Sequence, residues 1–131
     1  MLTNNSFIVR ILFLAKPDSD IYASSEAAIE YLWSLNLDIV LEEKLYNHIK
    51  SKPFFLESKS DVTSTLNMMS LEDKSIDLII TFGGDGLLLH CNTMFTKRNM
   101  PPVMCFDFGS LGFLSPFYYE DFRSEVCYIS F

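Results

Sequence analysis

The sequence predicts an α/β fold built around a mostly parallel sheet. Apolar runs typical of strands buried on both faces alternate with segments whose apolar residues recur at helical spacing. One of these runs leads directly into a glycine-rich loop, TFGGDGLLLH at residues 81–90. Strands that alternate with helices require right-handed crossovers, so we expect a Rossmann-like domain of three layers with helices on both faces of the sheet.

The length and composition indicate one α/β domain over residues 1–131. A chain of 131 residues is long enough to bury most of its apolar surface without disulfides or metals. Because 49% of the residues are hydrophobic, we expect part of the surface to contact a partner or a second domain. No apolar run approaches the roughly 18 residues that a membrane span needs, and Phe7–Ala15 is typical of a buried strand rather than a signal peptide.

The net charge limits which ligands the chain can bind, and the cysteines indicate the cellular compartment. The net charge is −7, and the basic residues are scattered apart from Lys97–Arg98, which argues against nucleic acid. A phosphate ligand would therefore depend on backbone amides, a metal ion or another segment. Three widely spaced cysteines fit no zinc pattern, so we expect no metal held by the protein alone and a reducing, cytoplasmic location.

The alternating pattern predicts specific elements. Asp18 to Asp20 offer N-caps for a helix that follows the first strand, and Asn36 is a plausible stop. Residues 42–60 are charged and irregular around Pro53, which indicates a surface excursion. The predicted strands are Phe7–Ala15, Leu37–Leu41, Ile76–Phe82 and Val103–Phe106; the later predicted helices lie near Asp61–Leu71, at Leu87–Phe95 and at Tyr119–Val126.

The loop at residues 83–86 concentrates chemistry in one place. All five glycines of the chain lie between Gly83 and Gly112, and three of them surround Asp85. Glycines allow positive φ and let backbone amides approach a ligand, while the following helix offers unpaired N–H groups to phosphate. Asp85 can accept a hydroxyl proton or hold Mg²⁺. The alternative is a tight strand-to-helix turn in which Asp85 serves as an N-cap.

Two motifs in the right order resemble the NAD kinase family. The loop is similar to the G-G-D-G signature that NAD kinases share with diacylglycerol-type lipid kinases and phosphofructokinases. PPVMCFDFGSLGFLSPF, residues 101–117, resembles the G-x-L-G-F-L element that separates NAD kinases from the lipid kinases. YYEDFRSEV, residues 118–126, is similar to the helix that follows this element in eukaryotic members of the family, and the opening at Lys16–Pro17, between a strand and a helix, is also similar. The resemblance therefore covers most of residues 7–126.

The resemblance implies an activity and its residues. Asp85 would act as base on the adenosine-ribose 2′-hydroxyl of NAD, which attacks the γ-phosphate of ATP in the presence of Mg²⁺ to give NADP. Gly83, Gly84 and Gly86 would shape the phosphate loop together with Asp85. The second motif implies that three further residues, Gly109, Gly112 and Phe113, help to form the NAD adenine site.

Several single residues keep two interpretations. Leu87 departs from the family pattern, which usually has threonine or another polar residue after G-G-D-G. His90 is expected to be a half-exposed structural histidine, although it could face a phosphate. Phe113 belongs either to the motif or to the core. Asp107 is expected to be a solvated loop residue, with a supporting carboxylate near the site as the alternative.

The family also has a second, all-β domain with an Asn–Glu or Asn–Asp pair and a further glycine-rich segment, and nothing in this sequence matches them. We therefore expect these 131 residues to form an incomplete NAD kinase that gives little or no NADP alone. The alternative is a non-catalytic truncated paralogue or fragment that binds nucleotide, forms a homo-oligomer or pairs with a full-length subunit. A lipid kinase relative is the third possibility.

Overall fold

Six strands form one sheet in the part of the chain that the computed structural model describes, residues 10–57, 63–66, 75–95, 99–108 and 117–127. The strands are β1 Arg10–Ala15, β2 Asp38–Glu42, β3 Thr63–Leu66, β4 Leu78–Phe82, β5 Val103–Asp107 and β6 Phe117–Tyr118. The helices are α1 Ser19–Ser34, α2 Glu43–Ile49, α3 Pro53–Glu57, α4 Asp85–Met94 and α5 Phe122–Cys127, the last preceded by a 3₁₀ turn at Tyr119–Asp121.

The strand order is β3-β2-β1-β4-β5-β6, and every neighbouring pair is parallel. Leu12 of β1 lies in register with Val40 of β2 on one side and Ile79 of β4 on the other. The chain therefore reverses its direction of travel across the sheet between β1 and β4, so the connections that follow these two strands run to opposite sides and leave a crevice at their carboxyl ends. The predicted parallel α/β class is confirmed.

Two hydrophobic clusters make the three layers. Alternate residues of β1 point to opposite faces of the sheet: Phe13 packs with α1, α2 and α5, whereas Leu12 packs with Cys91 and Met94 of α4. Both clusters are fully enclosed at the sheet, where residues 11–14 have no exposed surface. No helix within the described ranges is both long and apolar enough to cross a membrane.

The first helix begins and ends where its sequence predicts. Asp18 is the N-cap, and its Oδ1 accepts hydrogen bonds from the backbone N–H of Asp20 at 2.9 Å and of Ile21 at 3.1 Å. Asn36 has φ 63°, the left-handed conformation that commonly ends a helix. These two residues fix the length of the connection between β1 and β2.

Two predictions for the stretch after β2 are wrong. Residues 42–60 were expected to be a surface excursion, but α2 and α3 occupy most of this stretch, and Leu45 and Ile49 belong to the core. Within the stretch Asp61–Leu71, where a polar helix was expected, residues 63–66 form the edge strand β3, because pairing with β2 suits the β-branched residues of TSTL. The rest of that stretch lies outside the described residues. The strand β6 was not predicted, since two residues carry no periodicity.

Phe82, the last residue of β4, is the centre of an aromatic cluster directly below the glycine loop. Its ring has no exposed surface. Its neighbours come from β1, β5 and the C-terminal elements, with centroid distances of 4.8 Å to Phe13, 5.7 Å to Phe106, 5.0 Å to Phe108, 5.4 Å to Tyr119 and 5.3 Å to Phe122. This packing fixes the point from which the loop departs.

Truncation of this ring should therefore cost far more stability than truncation of an exposed side chain. We expect Phe82→Ala to lower the free energy of unfolding by about 3–5 kcal/mol, since a fully buried phenylalanine leaves a large cavity. Leu56→Ala is the control, because Leu56 is 68% exposed, and it should change the value by less than about 0.5 kcal/mol. Urea denaturation measures both, and similar losses for the two variants would contradict the central role of Phe82.

Candidate functional site

The glycine loop joins β4 to α4 at the carboxyl edge of the sheet, beside the crevice between β1 and β4. Two backbone hydrogen bonds hold it there. The N–H of Gly83 donates to the carbonyl of Phe106 in β5 at 3.1 Å, and the N–H of Lys16 donates to the carbonyl of Phe82 at 2.9 Å. The ends of three neighbouring strands are thus tied together immediately below the loop.

The helix begins two residues earlier than predicted, at Asp85. The N-cap is Gly84, in an extended conformation with φ −125° and ψ −161°, and no side chain caps the helix. The interpretation of Asp85 as an N-cap is therefore wrong. Its carboxylate lies instead in the first turn, at the positive end of the helix dipole.

The glycines serve by lacking a side chain rather than by adopting an unusual backbone. None of Gly83, Gly84 and Gly86 has φ in the left-handed region, so the expectation that they supply positive φ is wrong. A Cβ on Gly83 would lie 3.1 Å from Leu87 Cδ2 and 3.3 Å from Lys16 Cβ. A Cβ on Gly84 or Gly86 would meet no described atom within 4 Å. Of these three glycines, only Gly83 lies where a Cβ would be crowded by its neighbours.

Open space on one side of the loop forms a cavity of about 340 Å³, here called the loop cavity. It is lined by Lys16, Ile21, Gly83, Gly84, Asp85, Asp107 and Phe108. These residues follow or end β1, β4 and β5, or begin α1 and α4, so the topology alone brings them together. The loop cavity holds two carboxylates and one ammonium group, and Lys16 makes no ion pair within the described residues.

Asp107 is buried, contrary to its prediction as a solvated loop residue. It is the last residue of β5 and is 6% exposed. Its Oδ2 atom is buried and has no hydrogen-bond partner among the described residues. The prediction failed because the strand extends one residue past the apolar VMCF run, which carries the side chain down to the edge of the cavity.

The charge of Asp85 also affects Cys105, in the middle of β5. The pKa of the Cys105 thiol is raised chiefly by burial, an effect that a hydrogen bond from Thr81 opposes and that the carboxylate of Asp85 reinforces. Asp85 therefore lies close enough to β5 for its charge to be felt there.

A second space lies on the other side of the loop. It measures about 320 Å³ and is lined by Lys16, Pro17, Gly84, Gly86, Leu87 and His90. His90 Nε2 lies 3.0 Å from Glu42 Oε2, as a structural histidine would, and its side chain is 44% exposed. Because His90 also lines this space, both interpretations of it stay open.

Of the predicted site residues, the structure brings Gly83, Gly84 and Asp85 to the loop cavity and Gly86 to the second space. Gly109, Gly112 and Phe113 lie outside the described residues, so their adenine-site role stays a prediction. Sequence reasoning did not single out Lys16 as a site residue. Its signal was available, because Lys16 directly follows β1 and so lies at the same edge as the loop.

Within the described ranges, no group of three or more His, Cys, Asp or Glu side chains is placed to hold a metal ion. The donor set nonetheless fits Mg²⁺ bound together with a nucleotide, because this ion is commonly held by one or two carboxylates plus substrate phosphates. Asp85 and Asp107 are the carboxylates that the loop cavity offers.

A family model described as the ATP-NAD kinase N-terminal domain matches residues 11–128. Putative NAD kinase 3 of Oryza sativa subsp. japonica is 32% identical over 115 residues, 86% of this chain and 23% of that protein. The chloroplastic NAD kinase 2 of Arabidopsis thaliana is 27% identical over 124 residues, 88% of this chain and 12% of that protein. The chain thus spans less than a quarter of these relatives' length.

A solved structure shares the fold. The crystal structure of yeast NADH kinase complexed with NADH aligns with a TM-score of 0.79 and 22% sequence identity, over 95% of this chain and 36% of that chain. At this identity the likeness establishes the α/β architecture described above.

The three loop glycines should respond differently to a methyl group. We expect Gly84→Ala to change the free energy of unfolding by no more than about 0.5 kcal/mol, since the extended backbone accepts alanine and the reduced freedom of the unfolded chain offsets the poorer N-cap. Gly83→Ala should lower it by about 1–3 kcal/mol through overpacking against Leu87 and Lys16. Urea denaturation measures both, and equal effects would show that the fold uses the two glycines alike.

Proposed function

The chain belongs to the NAD kinase family, and we propose that it carries the nucleotide site around residues 83–86 of an enzyme that phosphorylates the adenosine-ribose 2′-hydroxyl of NAD with ATP. One observation supports this most directly. Gly84 and Gly86 are glycine although neither the backbone nor any described neighbour requires it, so what they preserve is space beside the loop. A ligand that approaches backbone amides closely needs such space.

Phosphate groups have three sources of stabilisation at this edge. The first turn of α4 lies at the positive end of the helix dipole, where the N–H of Leu87 already donates to the carbonyl of Gly84 at 3.1 Å. The ammonium group of Lys16 lines both spaces beside the loop. Mg²⁺, when bound with the nucleotide, would neutralise further phosphate charge beside Asp85.

Asp85 is the group proposed to accept the proton of the 2′-hydroxyl. A carboxylate is a weak base for a sugar hydroxyl, so deprotonation alone would contribute little. Most of the acceleration would come from holding the hydroxyl in line with the γ-phosphate and from neutralising the transferred charge. The position of Asp85 in the first turn of a helix anchored to β4 and β5 suits that positioning role.

A second candidate is a protein that binds nucleotide without phosphoryl transfer, alone, as a homo-oligomer or with a longer subunit. Leu87 favours it, because this side chain lines the second space where the family usually has a hydroxyl or another polar group. We place either form in the cytoplasm on the cysteine content. A lipid kinase is disfavoured by the element at residues 109–114.

The nucleotide site can be tested by filling the space that Gly84 leaves open. We expect NAD to bind the purified chain in isothermal titration calorimetry, and Gly84→Val to weaken binding at least tenfold, because its side chain would project into the space beside the loop. The melting temperature should stay within about 3 °C, since valine tolerates extended backbone. Ala27→Val is the control, because Ala27 lines a different pocket. Unchanged affinity in Gly84→Val would remove the support for this site.

An NADP-specific coupled assay tests whether these 131 residues transfer phosphate to NAD on their own. With NAD, ATP and Mg²⁺ we expect these 131 residues to give little or no NADP, because the family's second domain completes both nucleotide sites. NADP formation at ordinary enzyme rates, abolished by Asp85→Asn, would contradict that expectation and establish the kinase. Absence of NADP together with NAD binding would agree with both candidates, since these 131 residues alone are expected to give little or no NADP in either case.

A further inference from the structure

The unpartnered carboxylate of Asp107 is the feature of the loop cavity that the proposed reaction leaves unexplained. Asp107 ends β5, is 6% exposed, and its Oδ2 has no hydrogen-bond partner among the described residues. Buried polar groups in folded proteins are nearly always paired, and a group left unpaired destabilises the fold. Asp107 lines the loop cavity, so a donor that binds in the cavity would approach this carboxylate.

The donors nearest this edge are engaged elsewhere or do not reach the carboxylate. The N–H of Gly83 donates to the carbonyl of Phe106. Lys16 lines the same cavity without forming an ion pair with Asp107. The described part of the chain therefore supplies no donor to Oδ2.

The chemistry of a nucleotide decides which part of it could meet Asp107. Phosphate oxygens are anionic acceptors, so they favour the amides of the loop and the ammonium of Lys16 and are repelled by a second carboxylate. A carboxylate accepts hydrogen bonds and donates none. The groups of a nucleotide that can donate to it are the ribose hydroxyls and the exocyclic amine of the base.

We propose that Asp107 is a specificity-determining residue that accepts a hydrogen bond from the nucleoside part of the nucleotide whose phosphates lie against residues 83–86. This inference rests on the proposed function. The strands β4 and β5 are neighbours, so Asp85 and Asp107 lie at adjacent strand ends and line one cavity. A nucleotide with its phosphates on the loop would have its sugar within reach of both strand ends.

The test compares a nucleotide with a phosphate probe that has no nucleoside. Asp107→Asn keeps the shape and removes the charge, and Asp107→Ala removes both acceptor atoms. By calorimetry we expect Asp107→Asn to weaken the binding of AMP about tenfold, because a charge-assisted hydrogen bond becomes a neutral one. Binding of inorganic pyrophosphate should be unchanged or tighter, since a negative charge is lost. Asp121→Asn, an exposed aspartate, is the control and should change neither.

The stability of the free chain and modified nucleotides complete the test. Asp107→Asn should leave the melting temperature equal or higher, whereas a clear decrease would show that the chain already satisfies Oδ2 and would overturn the inference. 2′-Deoxy-AMP and 3′-deoxy-AMP each lack one hydroxyl donor, and purine riboside 5′-monophosphate lacks the exocyclic amine. An analogue that binds the unmodified chain more weakly than AMP does, but binds Asp107→Ala as tightly as AMP does, lacks the group that donates to Asp107.

The remaining outcomes separate this inference from the proposed function. If the unmodified chain binds AMP and the Asp107 variants bind it equally well, the inference fails and the loop site stands. If the Asp107 variants bind both AMP and pyrophosphate more weakly, Asp107 maintains the structure of the loop and does not contact the nucleoside. The inference also fails in that case. If the unmodified chain binds neither probe, the proposed site itself fails and this inference fails with it.

Discussion

The site depends on the way in which β4 is held between β1 and β5. Its last residue, Phe82, is enclosed by rings from β1, β5 and the C-terminal elements, and its carbonyl accepts the N–H of Lys16. The next residue, Gly83, donates to the carbonyl of Phe106. Because the backbone is fixed on both sides of the strand end, the loop and the first turn of α4 have little freedom, which suits a site that binds with backbone groups.

Glycine has two different uses within four residues of this loop. At Gly83 a side chain would collide with Leu87 and Lys16, so the packing of the strand end requires glycine. At Gly84 and Gly86 the backbone would accept other residues and the neighbouring space is empty. Larger residues at those positions would cost the fold little, which agrees with the proposal that glycine there keeps space for a ligand.

The sequence was sufficient where local chemistry decides the structure. The Asp18 cap, the Asn36 stop and the buried strands around Phe13 and Ile80 follow from caps and periodicity, and tertiary context did not override them. The sequence was insufficient where strand pairing or burial decides the structure of a segment. Residues 63–66 are polar and became a strand because β2 offered an edge, and Asp107 looked solvated because no local pattern shows how far β5 extends.

The charges of the loop cavity restrict what can occupy it. Asp85 and Asp107 contribute two potential negative charges and Lys16 one positive charge, so an anionic nucleotide would meet repulsion unless a cation accompanied it. Backbone amides offset part of this, but they act over the first turn of the helix only. A nucleotide would therefore be best accommodated with its phosphates and Mg²⁺ toward the loop and its uncharged, donor-bearing nucleoside toward Asp107. This arrangement satisfies the unpaired Oδ2 atom without adding charge.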